Sequence, residues 1–174
     1  YLYRWLAMGA GAGDLEPPKE RPKVVPPPRR IRFLDDGRMQ VVYEPRIESF
    51  GQLLPVRQEV SAPEPERWKT KEGVVGKNLG GNSVAWLSQE QDDFIFSARV
   101  GFRCGERAGL VFRARQADGE GLQAVADRRF GRMEFGLCGR KEFIDARLWK
   151  PRDEVVIKVV ALGPSIEIYA DDRL

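Results

Sequence analysis

From Trp68 to Leu174 the sequence is cut into short runs that alternate apolar and polar residues, most of them closed by glycine or aspartate. Alternation of this kind sends successive side chains to opposite sides of an extended backbone, and no window repeats apolar residues at helical spacing. The pattern predicts strands near Gly73–Lys77, Ser83–Ser88, Phe94–Phe102, Ala108–Arg115, Leu122–Arg128, Arg132–Phe135, Glu154–Ala161 and Ser165–Tyr169. Within them Phe94, Phe96, Ala98 and Val100 share one face, as do Leu110, Phe112 and Ala114, and as do Ile166, Ile168 and Ala170. Short strands with turn residues between them favour antiparallel sheets packed face to face over alternating strand–helix units. The expected fold class is all-β, an antiparallel β-sandwich.

Upstream of Trp68 the composition changes. Ten of the twelve prolines fall between Pro17 and Pro65, including the run Pro26-Pro27-Pro28. Proline fixes φ and lacks an N–H, so Glu16–Arg30, with Pro17, Pro18, Pro22 and that run, favours an extended conformation and holds neither helix nor central strand. Residues 1–29 therefore read as a proline-rich linker or the end of a preceding domain, and residues 30–174 as the sandwich domain. The sandwich is introduced by a hairpin, Arg30–Leu34 and Met39–Tyr43 around Asp35-Asp36-Gly37-Arg38, where glycine supplies the positive φ of the turn. A lone hairpin cannot bury Ile31, Phe33, Val41 and Tyr43, so it is expected to dock on the sandwich or a neighbour. Pro45–Leu54 predicts one helical turn, stopped by Pro55. Ser165–Leu174 reads as a strand followed by the turn of a hairpin whose returning strand is absent. With Tyr1 rather than methionine at the start, the chain is expected to be a piece of something longer.

Several function classes are removed by composition. At 174 residues, with 42% hydrophobic and 32% charged, the chain is neither disordered nor too small for a core. No run approaches the ~20 apolar residues of a membrane helix. A net charge of +3 is too small to point to nucleic acid, so neither a membrane nor a nucleic acid is an expected partner. There is no histidine, which removes Ser-His and Cys-His catalysis and most catalytic zinc sites. Cys104 and Cys138 cannot frame a four-cysteine zinc site and are expected to stay unbridged. The pairs Asp35-Asp36, Asp92-Asp93 and Asp171-Asp172 read as turn residues bonding their own backbone rather than as calcium ligands. Arg113, Arg115, Arg128 and Arg129 read as a solvated basic face. No cofactor or metal is expected.

The stretch from Pro27 through Arg30-Ile31-Arg32-Phe33-Leu34-Asp35-Asp36-Gly37 to Met39, followed by Pro45-Arg46-Ile47-Glu48, resembles the domain join of glycoside hydrolase family 32. In these invertase-, inulinase- and levanase-like enzymes a five-bladed β-propeller precedes a β-sandwich. Arg107–Ala114 is similar to a strand of such sandwiches, and Ser165–Asp172 to their closing hairpin. The likeness runs from Pro26 to Leu174 in short, degenerate pieces. Similar text occurs in concanavalin-like sugar-binding modules, so the sandwich is expected to take a jelly-roll form. The resemblance implies a preceding propeller as partner domain, an oligosaccharide ligand and room for subunit contacts. It brings no catalytic residues. The family's acids lie in Asn-Asp-Pro, Arg-Asp-Pro and Glu-Cys, and none of these occurs here: Asn78 and Asn82 do not precede aspartate, and Arg152-Asp153 runs into Glu154. Retaining hydrolysis needs two carboxyl groups ~5–5.5 Å apart, and no such pair can be assigned in this sequence.

Candidates for sugar contact are then the tryptophans, whose rings stack on the C–H face of a saccharide. Trp149, ahead of Lys150-Pro151 in an expected loop, is the better surface candidate. Trp86, in Val84-Ala85-Trp86-Leu87, is the second, although its setting suits a core better than a surface. Trp5 and Trp68 carry less weight. Two functions follow: a non-catalytic accessory sandwich of a carbohydrate-active enzyme, or a stand-alone, lectin-like carbohydrate-binding module.

Overall fold

The computed structural model describes residues 29–51, 60–70, 73–77, 83–87, 91–114, 121–138 and 143–174. The expected linker up to residue 28, with Trp5, lies outside the described residues. In chain order the strands are β1 (Arg30–Phe33), β2 (Met39–Val42), β3 (Val60–Ser61), β4 (Trp68–Thr70), β5 (Val74–Gly76), β6 (Trp86–Leu87), β7 (Phe94–Gly101), β8 (Arg107–Phe112), β9 (Leu122–Asp127), β10 (Arg132–Leu137), β11 (Phe143–Leu148), β12 (Glu154–Leu162) and β13 (Ser165–Ala170). Short 3₁₀ helices span Pro45–Phe50 and Pro65–Arg67.

Two antiparallel sheets form the sandwich, ordered β11-β10-β9-β8 and β13-β12-β7. Their inner faces meet in a core built from the alternating residues. Phe112, Leu122, Ala124 and Ala126 come from the four-stranded sheet, and Val155, Ile157 and Val159 from the three-stranded one. Phe112 stacks on Phe135 at 6.4 Å and meets Phe94 edge-on at 6.4 Å. Burying Val155, Ile157 and Val159 removes each from water almost completely, worth roughly 1.5–3 kcal/mol apiece. The antiparallel β-sandwich is as the alternation predicts.

The register differs from expectation at the margins. The alternation does not mark β11. It pairs with β10 across a bulge between Phe135 and Gly136, and its Asp145, Ala146, Arg147 and Leu148 are all exposed, so no buried stripe marks it. The expected strand over Ser83–Ser88 shrinks to Trp86–Leu87, and Trp68–Thr70 pairs with Val74–Gly76. The Trp68 ring lies so close over Gly76 that a Cβ there would come within 2.6 Å of it.

Strand β12 is apolar on both faces because the outer face of its sheet is also covered. Tyr43 and Ile47, from the segment after β2, pack there on Val160 and Tyr169. Glu44 caps the 3₁₀ turn by accepting from Arg46 N at 3.2 Å, and Pro45 suits its first position. The Arg46 guanidinium beside it holds the Glu44 carboxyl down to about 2. Expected to reach Leu54, the turn closes at Gly51, and residues 52–54 lie outside the described ones. Lys158, the one charge in the middle of β12, places its ammonium 3.5 Å from the centre of the Tyr43 ring and 3.3 Å from Glu48. The hairpin turn forms as predicted, with Gly37 at φ 80°. Docking is confined to the Tyr43 end: Ile31 and Phe33 stay 50% and 71% exposed, because β1 lies on the far side of β2 from the sandwich.

Candidate functional site

The four-stranded sheet turns its other face outward. Cross-strand pairing puts Arg107 beside Asp127, and Asp127 beside Arg132, with Glu134 two residues along β10 on the same side. Asp127 and Glu134 are 1% and 4% exposed, although they stand on the face turned away from the core. Buried carboxylates persist only where every oxygen is engaged, and here each is. Arg107 Nε lies 3.2 Å from Asp127 Oδ2, and the same guanidinium reaches over β9 to Glu134 Oε2. Arg132 Nε donates to Glu134 Oε1 at 2.7 Å. The backbone N–H of Phe130 donates to Asp127 Oδ1 at 3.0 Å. One arginine is thus clamped by carboxylates from two neighbouring strands, while its side chain remains 52% exposed.

Beside this cluster the turn between β9 and β10 carries Phe130, whose ring is largely exposed and flanked by the guanidinium carbons of Arg132 at 4.8 Å and Arg129 at 5.4 Å. Gly109 keeps the neighbouring stretch of β8 bare: a Cβ there would fall 2.0 Å from the Ala124 carbonyl oxygen. The result is a sheet surface with ordered charged groups next to an exposed aromatic ring. Fixed polar groups beside an aromatic face are what a saccharide ring requires of a binding surface.

The residues expected to contact sugar lie elsewhere. Trp149 is 9% exposed and packs in the core against Phe102, ring centres 6.3 Å apart, so it offers no free face for stacking. The loop before Pro151 folds inward, with Trp149 N bonded to Gly131 O at 2.8 Å. Trp86 is half-buried where β6 pairs with β3. The Trp149 backbone meets the turn that carries Phe130, but its ring lies in the core cluster. Nor are the other arginines a plain solvated stripe. Arg113, at φ 47°, hydrogen-bonds the Gly163 and Asp92 carbonyls, and Arg128 lies over Phe102 and pairs with Asp153; Arg115 lies outside the described residues. Of the Asp pairs only Asp36 bonds its own turn, accepting from Arg38 N; Asp93 accepts from Gly163 N and Asp171 from Val156 N in β12, so these two tie distant segments together. Among the described residues no group of three or more acidic or thiol side chains gathers to hold a metal.

The outer face of the three-stranded sheet carries a further buried carboxylate, Glu167. Arg29 Nε lies 2.6 Å from its Oε1, and the Tyr169 hydroxyl donates to Oε2 at 2.5 Å. Burial, then the bond to Glu167, pushes the Tyr169 hydroxyl well above the usual tyrosine range.

Among solved structures, the fold is similar to the carbohydrate-binding module CBM66 from Bacillus subtilis, with a TM-score of 0.60. The match covers 68% of this chain and 77% of that one at 22% identity, so the likeness is one of fold. No protein-family model matches the sequence, and no curated relative does. The resemblance to glycoside hydrolase family 32 finds no support in these comparisons, whereas the sandwich does.

Proposed function

We propose that this chain is a carbohydrate-binding β-sandwich module whose sugar site is the outer face of β8, β9 and β10. The observation that carries the reading is the half-exposed Arg107, held in place by buried carboxylates on two neighbouring strands. Groups ordered in advance recognise hydroxyls without the entropy cost of fixing a long side chain on binding. Phe130 supplies an apolar face for the C–H side of the ring. Arg107 and Arg132 balance Asp127 and Glu134, which suits a neutral saccharide. The likeness to CBM66 supports the reading at the level of fold. Affinity should be about millimolar, ~4 kcal/mol, as befits a shallow surface. Titration against sucrose, inulin, levan, cellulose and xylan tests it. Binding to at least one of them should fall tenfold or more in Arg107→Ala and Phe130→Ala and survive in Trp86→Ala. A chain that binds none of the panel, or variants that bind as well as the parent, would refute it.

A second reading rests on a different observation. Ile31, Phe33 and Met39 share one face of the hairpin and are 50%, 71% and 54% exposed, a patch that a neighbouring domain would cover. The patch supports a neighbouring domain, and the sequence resemblance names it: an accessory sandwich beside the β-propeller of a glycoside hydrolase acting on fructosides. The chain alone would then hydrolyse none of sucrose, inulin, levan or aryl glycosides, and turnover that survives repurification would exclude it.

A further inference from the structure

Antiparallel pairing carries the charged row of the outer face on to the last strand of the sheet. Arg107 stands opposite Asp127, Asp127 opposite Arg132, and Arg132 opposite Leu148 of β11. Residues directly opposite one another share a face, so Leu148 looks out on the side of Arg107. The next row, Gly109, Val125, Glu134 and Ala146, ends on the same strand with a short apolar side chain. Strand β11 is polar inside and apolar outside, the reverse of β10. Met133 and Phe135 pack on the core, yet their partners Arg147 and Asp145 are charged, exposed and 3.2 Å from each other. The outward positions are Ala146 and Leu148, and Leu148 is 96% exposed. A single exposed leucine carries no message by itself. This one closes the row that holds Arg107, and it stands on the outermost strand, where charge is the usual safeguard against aggregation. Trp149 N, bonded to Gly131 O at 2.8 Å, fastens the end of β11 to the turn that carries Phe130. The turns at this end of the sheet, 102–106, 128–131 and 149–153, all belong to the described residues.

We propose that Leu148 is a second apolar platform of the saccharide site, covered by a further unit of the same glycan, whose chain lies across the strands from β8 to β11. The inference rests on the sugar-binding reading of this face and adds that the ligand is a chain of several units rather than a single ring. Arg107 and Leu148 are three strand spacings apart, about 14 Å, more than one sugar ring bridges. The two ends of the row do different work. Arg107 and Arg132, held by Asp127 and Glu134, donate to the hydroxyls of one unit, with Phe130 beside them. Leu148 offers no hydrogen bond, so it covers the C–H side of another unit, and its gain comes from apolar area removed from water. Covering one side of a leucine is worth about a fivefold gain in affinity. Binding therefore tightens with the length of the chain and is indifferent to the hydroxyl pattern of the unit over Leu148.

The test titrates the full chain, Leu148→Ser and Arg107→Ala with the monosaccharide and the two-, three- and four-unit oligomers of inulin, levan, cellulose and xylan. Within one series the affinity should rise about fivefold or more from one unit to three and then level off. Leu148→Ser, at a position in solvent, should keep the Tm of the parent and its affinity for the single unit, and should lose the gain with length. Arg107→Ala should weaken every length alike. Single-unit binding that Arg107→Ala abolishes but that does not tighten with length would overturn the inference and leave the sugar-binding reading standing. A three-unit oligomer held as tightly by Leu148→Ser as by the parent would do the same. Binding to no oligomer of any length would overturn both. Sedimentation of the parent and of Leu148→Ser tests a rival occupant. A dimer of the parent that the variant dissolves would assign the leucine to a second copy of this chain and overturn the proposal.

Discussion

Each sheet turns one face away from the shared core, and each of those faces holds buried carboxylates paired with arginine. On the three-stranded sheet the space beside Glu167 is filled by the protein itself: Tyr43, Ile47 and Leu174 pack on Val160 and Tyr169, and Arg29 and the Tyr169 hydroxyl take up both carboxylate oxygens. On the four-stranded sheet Asp127 and Glu134 are just as buried, but Arg107 and Phe130 above them are more than half exposed. The same chemistry therefore has two uses. Where chain covers the ion pair, it fastens the segment around Arg29 to the sandwich. Where the arginine is left open, the carboxylates hold a recognition group still. A buried pair is not evidence of net stability by itself, because apolar replacements can match it. What separates the two cases is which property suffers when a partner is removed.

The largest effect is expected from Glu167→Ala. It strands a buried tyrosine hydroxyl and Arg29, at a cost of about 3–5 kcal/mol by urea denaturation. Sugar binding by the folded fraction should be unchanged, and a binding loss would merge the two faces into one system. Arg107→Ala should cost less stability, about 2 kcal/mol, since Asp127 keeps the Phe130 N–H and Glu134 keeps Arg132. Its saccharide affinity should fall at least tenfold, and unaltered affinity would make the open cluster another clamp. Phe130→Ala, at an exposed turn, should stay within about 0.5 kcal/mol of the parent while weakening binding. The smallest effect concerns acid. Glu44 is held at about 2, below its ordinary 4.5, so its stabilising contribution is complete above pH 4.5 and is lost as pH falls toward 2. Unfolding of Glu44→Gln followed from pH 5 to pH 2 should show a shallower decline than the parent. An identical slope would mean that the Arg46 pair contributes nothing on the covered face.

The sandwich could be read in advance because its core follows period two: Leu110 and Phe112, and Ile166, Ile168 and Ala170, all face the core as the alternation requires. Strand β11 escaped that logic. It is an edge with Asp145, Arg147 and even Leu148 in solvent, and its register carries a bulge. The charged cluster escaped for another reason. Arg107, Asp127 and Glu134 sit on three strands and meet only through cross-strand pairing, which no local spacing encodes. In the sequence Glu134 is one polar residue between Met133 and Phe135, as the outward side of any strand would be. Trp149 misled because Lys-Pro after an aromatic reads as a surface loop. The bond from Trp149 N to Gly131 O instead turns that loop onto Phe102.

The position of Lys158 has a consequence for its reactivity. An amine attacks an electrophile through its lone pair, which requires both loss of a proton and room for the reagent. Ringed by Tyr43, Glu48 and Asp172 and only 13% exposed, Lys158 is short of room, its ammonium 3.3 Å from Glu48 and 3.5 Å from Asp172. Exposed Lys69, Lys77 and Lys150 carry no such screen. Acylating reagents should therefore modify those three first, and mass-spectrometric labelling at Lys158 becomes a clock for the moments when Tyr43 and its 3₁₀ turn lift from the sheet.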